Sequence, residues 1–155
     1  LIPCNIFKGN FLIVGIGSPL RSDDQAGLIL CDILNQNGVN CIKCEYGFEN
    51  CVDIVIEKNP EKLVIIDTAI FSGGNPGDVI FLNSIEAFDS TCILTTHNIP
   101  IGLLLNTIKE LSSIREVYII GIYPRNLEIG LEVSREVTNS LHILAESIVK
   151  CFKNI

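Results

Sequence analysis

The chain of 155 residues contains no methionine, only two histidines, and 11 lysines and arginines against 18 acidic residues. Each shortage closes off a class of function. A net charge of −7 opposes nucleic acid as a partner, because affinity for phosphates depends on Lys and Arg replacing counterions. No apolar run approaches the ~20 residues that cross a bilayer. The first apolar segment lacks the basic flank and small-residue cleavage site of a signal peptide. The expectation is a cytoplasmic protein without a membrane partner. Leu1 opens a sequence without methionine, which leaves room for a residue or a short segment ahead of it.

Familiar motifs are also missing. Gly15-Ile16-Gly17 begins like a dinucleotide fingerprint, but the third glycine position is Leu20, preceded by Pro19, so the G-x-G-x-x-G pattern fails where the helix has to approach a pyrophosphate. There is no P-loop and no G-x-S-x-G elbow. A Ser or Cys triad would have to use His97 or His142. His142 sits in the pattern of the last helix as a flank residue, and nothing favours Ser18, Ser22 or any cysteine as nucleophile.

Cysteine, by contrast, is frequent, at positions 4, 31, 41, 44, 51, 92 and 151. An odd count without a secretory signal predicts reduced thiols. Cys41 and Cys44 form a C-x-x-C inside a strand-like segment, where residues three apart point to opposite faces. They are expected to be ordinary, partly buried cysteines and not a metal grip.

What remains is an alternation of strands and helices. The pattern predicts strands at 11–17, 39–45, 62–66, 78–82, 91–95 and 116–122. Between them lie helices over 25–35, with Asp23 or Asp24 as cap, over 49–58, stopped by Asn59-Pro60, and after Asn98, with Pro100 in the first turn. Val133, Val137, Leu141, Leu144, Ile148 and Phe152 mark a long closing helix. Composition (48% apolar, 19% charged) and the absence of linkers or repeats predict one domain over 1–155. Near-continuous Ile/Val/Leu strands between amphipathic helices predict an α/β protein with a parallel or mixed sheet covered on both faces. An acidic chain of this kind gives no reason to invoke a stable oligomer, so a monomer is expected.

Three strands run into polar residues: Phe11–Gly17 into Asp23-Asp24, Leu63–Ile66 into Asp67, and Cys92–Thr96 into His97. Ligands of open parallel sheets bind beyond the carboxyl ends of the strands. If the three strands are neighbours, Asp24, Asp67 and His97 converge. Two carboxylates and an imidazole suit a borderline divalent metal such as nickel, zinc or iron, and three ligands leave coordination positions open. The plainer alternative is a helix cap, a loop aspartate and a satisfied histidine.

The segment Gly15-Ile16-Gly17-Ser18-Pro19-Leu20-Arg21-Ser22-Asp23-Asp24-Gln25-Ala26-Gly27 resembles the G-x-G-N-x-x-x-x-D-D-G-x-G signature of the maturation endopeptidases of nickel-iron hydrogenases. Val64-Ile65-Ile66-Asp67-Thr68-Ala69 with Asn75-Pro76-Gly77, then Thr95-Thr96-His97-Asn98-Ile99-Pro100, then Gly121-Ile122-Tyr123-Pro124 resemble three further blocks in the same order. The T-T-H-N block is similar to the branch serving hydrogenases of the formate hydrogenlyase type. The resemblance implies a three-layer α/β sandwich with a twisted, mostly parallel sheet. It implies an endopeptidase that removes the C-terminal extension of a hydrogenase large-subunit precursor once nickel is installed. Asp24, Asp67 and His97 would be the metal ligands, completing the shell of a nickel ion supplied by the substrate, with no organic cofactor. Asp23 and Asp24 are the catalytic candidates, Asp23 being either a proton acceptor or a structural cap. Gly15, Gly17 and Ser18 are expected to face the substrate backbone. Two positions depart from the signature: Ser18 replaces Asn, and Gln25 replaces a glycine, a cost if the backbone there needs positive φ. A noncatalytic nickel-binding chaperone of the precursor is the alternative function.

Overall fold

The computed structural model describes residues 2–83, 92–95 and 101–154. Six strands form its sheet: β1 (Phe11–Gly17), β2 (Ile42–Glu45), β3 (Lys62–Phe71), β4 (Val79–Leu82), β5 (Cys92–Leu94) and β6 (Glu116–Ile122). Among the described residues four α-helices accompany them: α1 (Ala26–Gln36), α2 (Val52–Lys58), α3 (Ile101–Leu111) and α4 (Arg135–Lys153). The order across the sheet is β2-β1-β3-β6-β4, with β5 paired to β3 off this path. Pairings β1–β2, β1–β3 and β3–β6 are parallel, and β4 closes one edge antiparallel to β6.

The period-two alternation of the central strands divides the core. Val64 and Ile66 join Ile13, Leu30, Leu34, Ile120, Leu141 and Ile148 on the face covered by α1 and α4. Leu63 and Ile65 join Val14, Ile16, Val55, Leu105, Ile108 and Ile119 on the face covered by α2 and α3. Both faces are thus buried, which is why the strands read as near-continuous apolar runs. The chain leaves β1 through α1 on one face and returns from β2 through α2 on the other. A crevice therefore opens at the carboxyl ends of β1 and β3, where the two windings part.

Most expected elements are present, and the differences are instructive. Strand 116–122 and the closing helix appear as expected, the latter capped by Ser134, whose hydroxyl accepts from the Val137 N–H. Two short 3-10 turns, Ser22–Gln25 and Phe48–Cys51, precede α1 and α2. Neither Asp23 nor Asp24 caps α1: its N-cap is Gln25, without a side-chain cap bond, because both carboxylates are drawn to partners elsewhere. Strand β3 does not stop at Ile66 but runs on to Phe71, so Asp67 and Thr68 lie within it. Its extension pairs antiparallel with β5, so the segment leading to His97 is not a parallel strand of the main sheet. The expected cap Asn98 lies outside the described residues.

The cysteines differ from expectation as well. Six of them form disulfides, Cys4–Cys151, Cys31–Cys41 and Cys44–Cys51, rather than standing as free thiols. The last two pairs are close in sequence and are brought to Cα separations of 5.1 and 5.8 Å by the packing of α1 and the Phe48–Cys51 turn against β2, within the range a disulfide spans. Cys41 and Cys44 do face opposite cores, as strand geometry requires. Among the described residues no helix is long and apolar enough to cross a membrane.

Candidate functional site

The acidic loop after β1 is held in a tight course. The Ser18 N–H donates to the Asp24 carbonyl at 3.0 Å and the Asp24 N–H to the Arg21 carbonyl at 3.0 Å. Ser22 adopts a positive φ of 50°, an uncommon conformation for a residue with a Cβ. Its hydroxyl donates to the Glu128 carbonyl at 2.8 Å, which ties the loop to residues 125–134. Gln25, by contrast, has φ −78°, so the departure from glycine carries no backbone cost. Its side-chain amide donates to the Ser22 and Leu131 carbonyls, both at 3.0 Å.

The two adjacent aspartates are completely buried and do different things. Asp23 points into the 125–134 segment. Its Oδ2 accepts from the Arg125 N–H at 2.7 Å, the Asn126 N–H at 3.0 Å and the Ser134 hydroxyl at 2.9 Å, while Oδ1 accepts from the Ser134 N–H at 2.7 Å. Four donors hold this carboxylate, three of them on Oδ2. Asp24 turns the other way, into the crevice beside β3. Its Oδ1 accepts from the hydroxyls of Thr68 and Thr95, both at 2.5 Å, and the two hydroxyl oxygens lie in contact with each other. Its Oδ2 meets the Arg21 guanidinium at 3.2 Å. Asp67, also fully buried, accepts the Thr68 N–H at 2.8 Å through Oδ1. Asp24 and Asp67 are therefore joined through one threonine.

Of the expected ligands, Asp24 lies in the loop after β1 and Asp67 within β3, linked indirectly through the Thr68 hydroxyl and backbone N–H. His97 lies outside the described residues, although Thr95, two positions before it, is bonded to Asp24. Among the described residues no group of three His, Cys, Asp or Glu side chains gathers as a metal site. The donor set nonetheless fits a divalent cation. Two buried carboxylates linked through one threonine offer the oxygen donors that divalent cations take.

Gly15 and Gly17 are places of close approach within the chain itself. A Cβ on Gly15 would strike the Gly27 carbonyl and the Cys31 sulfur at 2.8 Å, and one on Gly17 would strike the Asp24 carbonyl. On their Cβ side the space is filled by the acidic loop and the start of α1. Ser18 is likewise buried. Sequence reasoning missed Arg21, Thr68 and Thr95 as site residues. The adjacency of Thr68 to Asp67 and of Thr95 to the T-T-H-N block was the available signal.

A profile of the family described as HycI, hydrogenase maturation protease, matches residues 47–151, well over half of the chain. The chain belongs to the hydrogenase maturation protease family. The Escherichia coli hydrogenase 3 maturation protease is 29% identical over 116 residues, covering 73% of this chain and 72% of that protein. The crystal structure of the hydrogenase maturation protease HycI from Thermococcus kodakarensis superposes with a TM-score of 0.78 at 26% identity, covering 97% of both chains. The solution structure of the E. coli endopeptidase HycI gives 0.77 at 21% identity over 92% of this chain and 90% of that one, a likeness of fold. As a hydrogenase maturation protease, the chain carries its buried carboxylates at the strand-end crevice of a peptidase fold.

Proposed function

We propose that this maturation protease removes the C-terminal extension of a nickel-iron hydrogenase large-subunit precursor after nickel has been installed. The observation that carries the reading is Asp24: a fully buried carboxylate, fixed by two threonine hydroxyls, in the crevice and linked through Thr68 to the buried Asp67 of β3. Such a pair is poised for a cation that arrives with the substrate. Asp24, Asp67 and His97 would complete the shell of a nickel ion held by the precursor's thiolates, so cleavage would depend on a loaded metal. Bound there, the substrate's nickel would polarise the scissile carbonyl or lower the pKa of an attacking water.

The rest of the work falls to the chain itself. Thr68 and Thr95 fix the orientation of Asp24, so that its position does not have to be found when substrate arrives. Asp23 is assigned to scaffolding and not to proton transfer, because its oxygens are occupied by Arg125, Asn126 and Ser134. Cytoplasmic action of a monomer on a single protein partner accords with this reading.

The test is a mobility-shift assay of the candidate precursor, with and without nickel, against the parent and Asp24→Ala. Nickel-dependent shortening by the parent, lost in Asp24→Ala, is expected. Binding of a verified cognate precursor without shortening would instead make the chain a nickel-binding chaperone.

A further inference from the structure

Arg21 sits at the mouth of the site, with its side chain 41% exposed while that of Asp24 is fully buried. One edge of its guanidinium reaches Asp24 Oδ2 at 3.2 Å, and its Nε donates to the Leu127 carbonyl at 3.3 Å. Its backbone bridges to Gly130, so the segment bearing it is anchored while the charged end remains accessible. The two oxygens of Asp24 are thus treated unequally. Oδ1 is satisfied by neutral hydroxyls and Oδ2 by a cation.

The charge arithmetic at Oδ2 has a consequence. A free divalent ion approaching this oxygen meets a resident positive charge, and like charges a few ångströms apart disfavour each other. A nickel ion already held by thiolates brings negative charge with it. The displaced guanidinium then has a new anionic partner close by, and Arg is well suited to such an exchange because it never loses its charge.

We propose that Arg21 is a specificity-determining counter-ion, which keeps Asp24 from binding free divalent cations and yields to metal carried on an anionic, thiolate-rich substrate site. This rests on the proposed reading of the crevice as the place where the substrate's metal is sensed. Arg21 acts by occupying Asp24 Oδ2, not by taking part in bond cleavage.

Calorimetric titration of the full chain with nickel chloride tests it without any precursor. Arg21→Gln is expected to bind free nickel roughly two- to fivefold more tightly than the parent, the factor that corresponds to removing a part-exposed ion pair. The gain should vanish in Arg21→Gln combined with Asp24→Asn. Arg21→Lys keeps the charge without the guanidinium fork and should bind nickel as weakly as the parent, which separates the effect of charge from loss of the Leu127 contact. If circular dichroism shows Arg21→Gln unfolded, Arg21→Met, which keeps the aliphatic stem, carries the same expectation. Affinity in the variant equal to or weaker than the parent's overturns the proposal, as does a gain that survives removal of Asp24 or a failure of both parent and variant to bind at millimolar nickel. A chain that shortens its loaded precursor but shows no gain in Arg21→Gln refutes the counter-ion alone. A chain that shows the gain but never shortens a verified precursor refutes the protease reading instead.

Discussion

An Asp23→Ala variant is expected to lose about 4 kcal/mol of folding stability, since it leaves four donors without their acceptor and a buried unsatisfied polar group costs about 1–3 kcal/mol. The donors are the backbone N–H groups of Arg125, Asn126 and Ser134 and the Ser134 hydroxyl. Relaxation of the 125–134 segment and entry of water recover part of the sum. At 2–4 °C per kcal/mol for a chain of this size, the midpoint of thermal unfolding should fall by roughly 8–16 °C. The loss should be local before it is global. Ser134 is the N-cap of α4, so amide exchange should quicken first in 125–138 and in the Ser22 loop that the Glu128 carbonyl holds. Thermal melts of the parent and variant, followed by hydrogen exchange, check both statements; an unchanged midpoint would show that Asp23 is not the anchor.

A Gly27→Ala variant is expected to be hit about as hard, for a steric reason. A Cβ at that position would collide with the Ile16 carbonyl and lie 2.7 Å from the Ile66 carbonyl and 2.8 Å from the Ile16 N–H. These are backbone atoms of β1 and β3, the two central parallel strands, and neither can rotate out of the way as a side chain could. Overpacking commonly costs about 1–3 kcal/mol, and a clash that only a helix displacement can relieve lies at or above the upper end, about 3–4 kcal/mol. Because α1 follows directly from the acidic loop, lifting it also shifts Asp24 away from Thr68 and Thr95. Precursor processing should therefore fall more steeply than stability. A variant with parental melting and parental processing would mean that the close seating of α1 on the sheet is unimportant.

The sequence made the layered fold and the neighbourhood of the site legible, because both depend on local pattern. Near-continuous apolar runs with helical spacing between them define which segments are strands and which faces they bury. The rule that ligands gather at strand ends then points to Asp24 and Asp67. What escaped depends on tertiary encounters. The continuation of β3 through Asp67 and Thr68 exists because β5 pairs with its extension at Ala69, Ile70 and Phe71, and no local signal marks that partner. The division of labour between Asp23 and Asp24 is set by a segment about a hundred residues later, which supplies donors to one and not to the other. The disulfides likewise required knowing that α1 and the Phe48–Cys51 turn pack beside β2. Gly15 and Gly17 are sites of close approach whose Cβ side is met by the acidic loop and α1, contacts that no local signal marks.

The most direct measurement is intact-mass analysis of a nickel-loaded large-subunit precursor incubated with Asp24→Asn and, separately, with Asp23→Asn, at a temperature where both variants are folded. Both substitutions preserve size and remove one buried negative charge, so only the position of the charge distinguishes them. The expected result is no C-terminal shortening with Asp24→Asn and shortening to the parental product with Asp23→Asn, despite its lower stability. Shortening by Asp24→Asn at the parental rate would contradict the placement of the reaction at the crevice between β1 and β3.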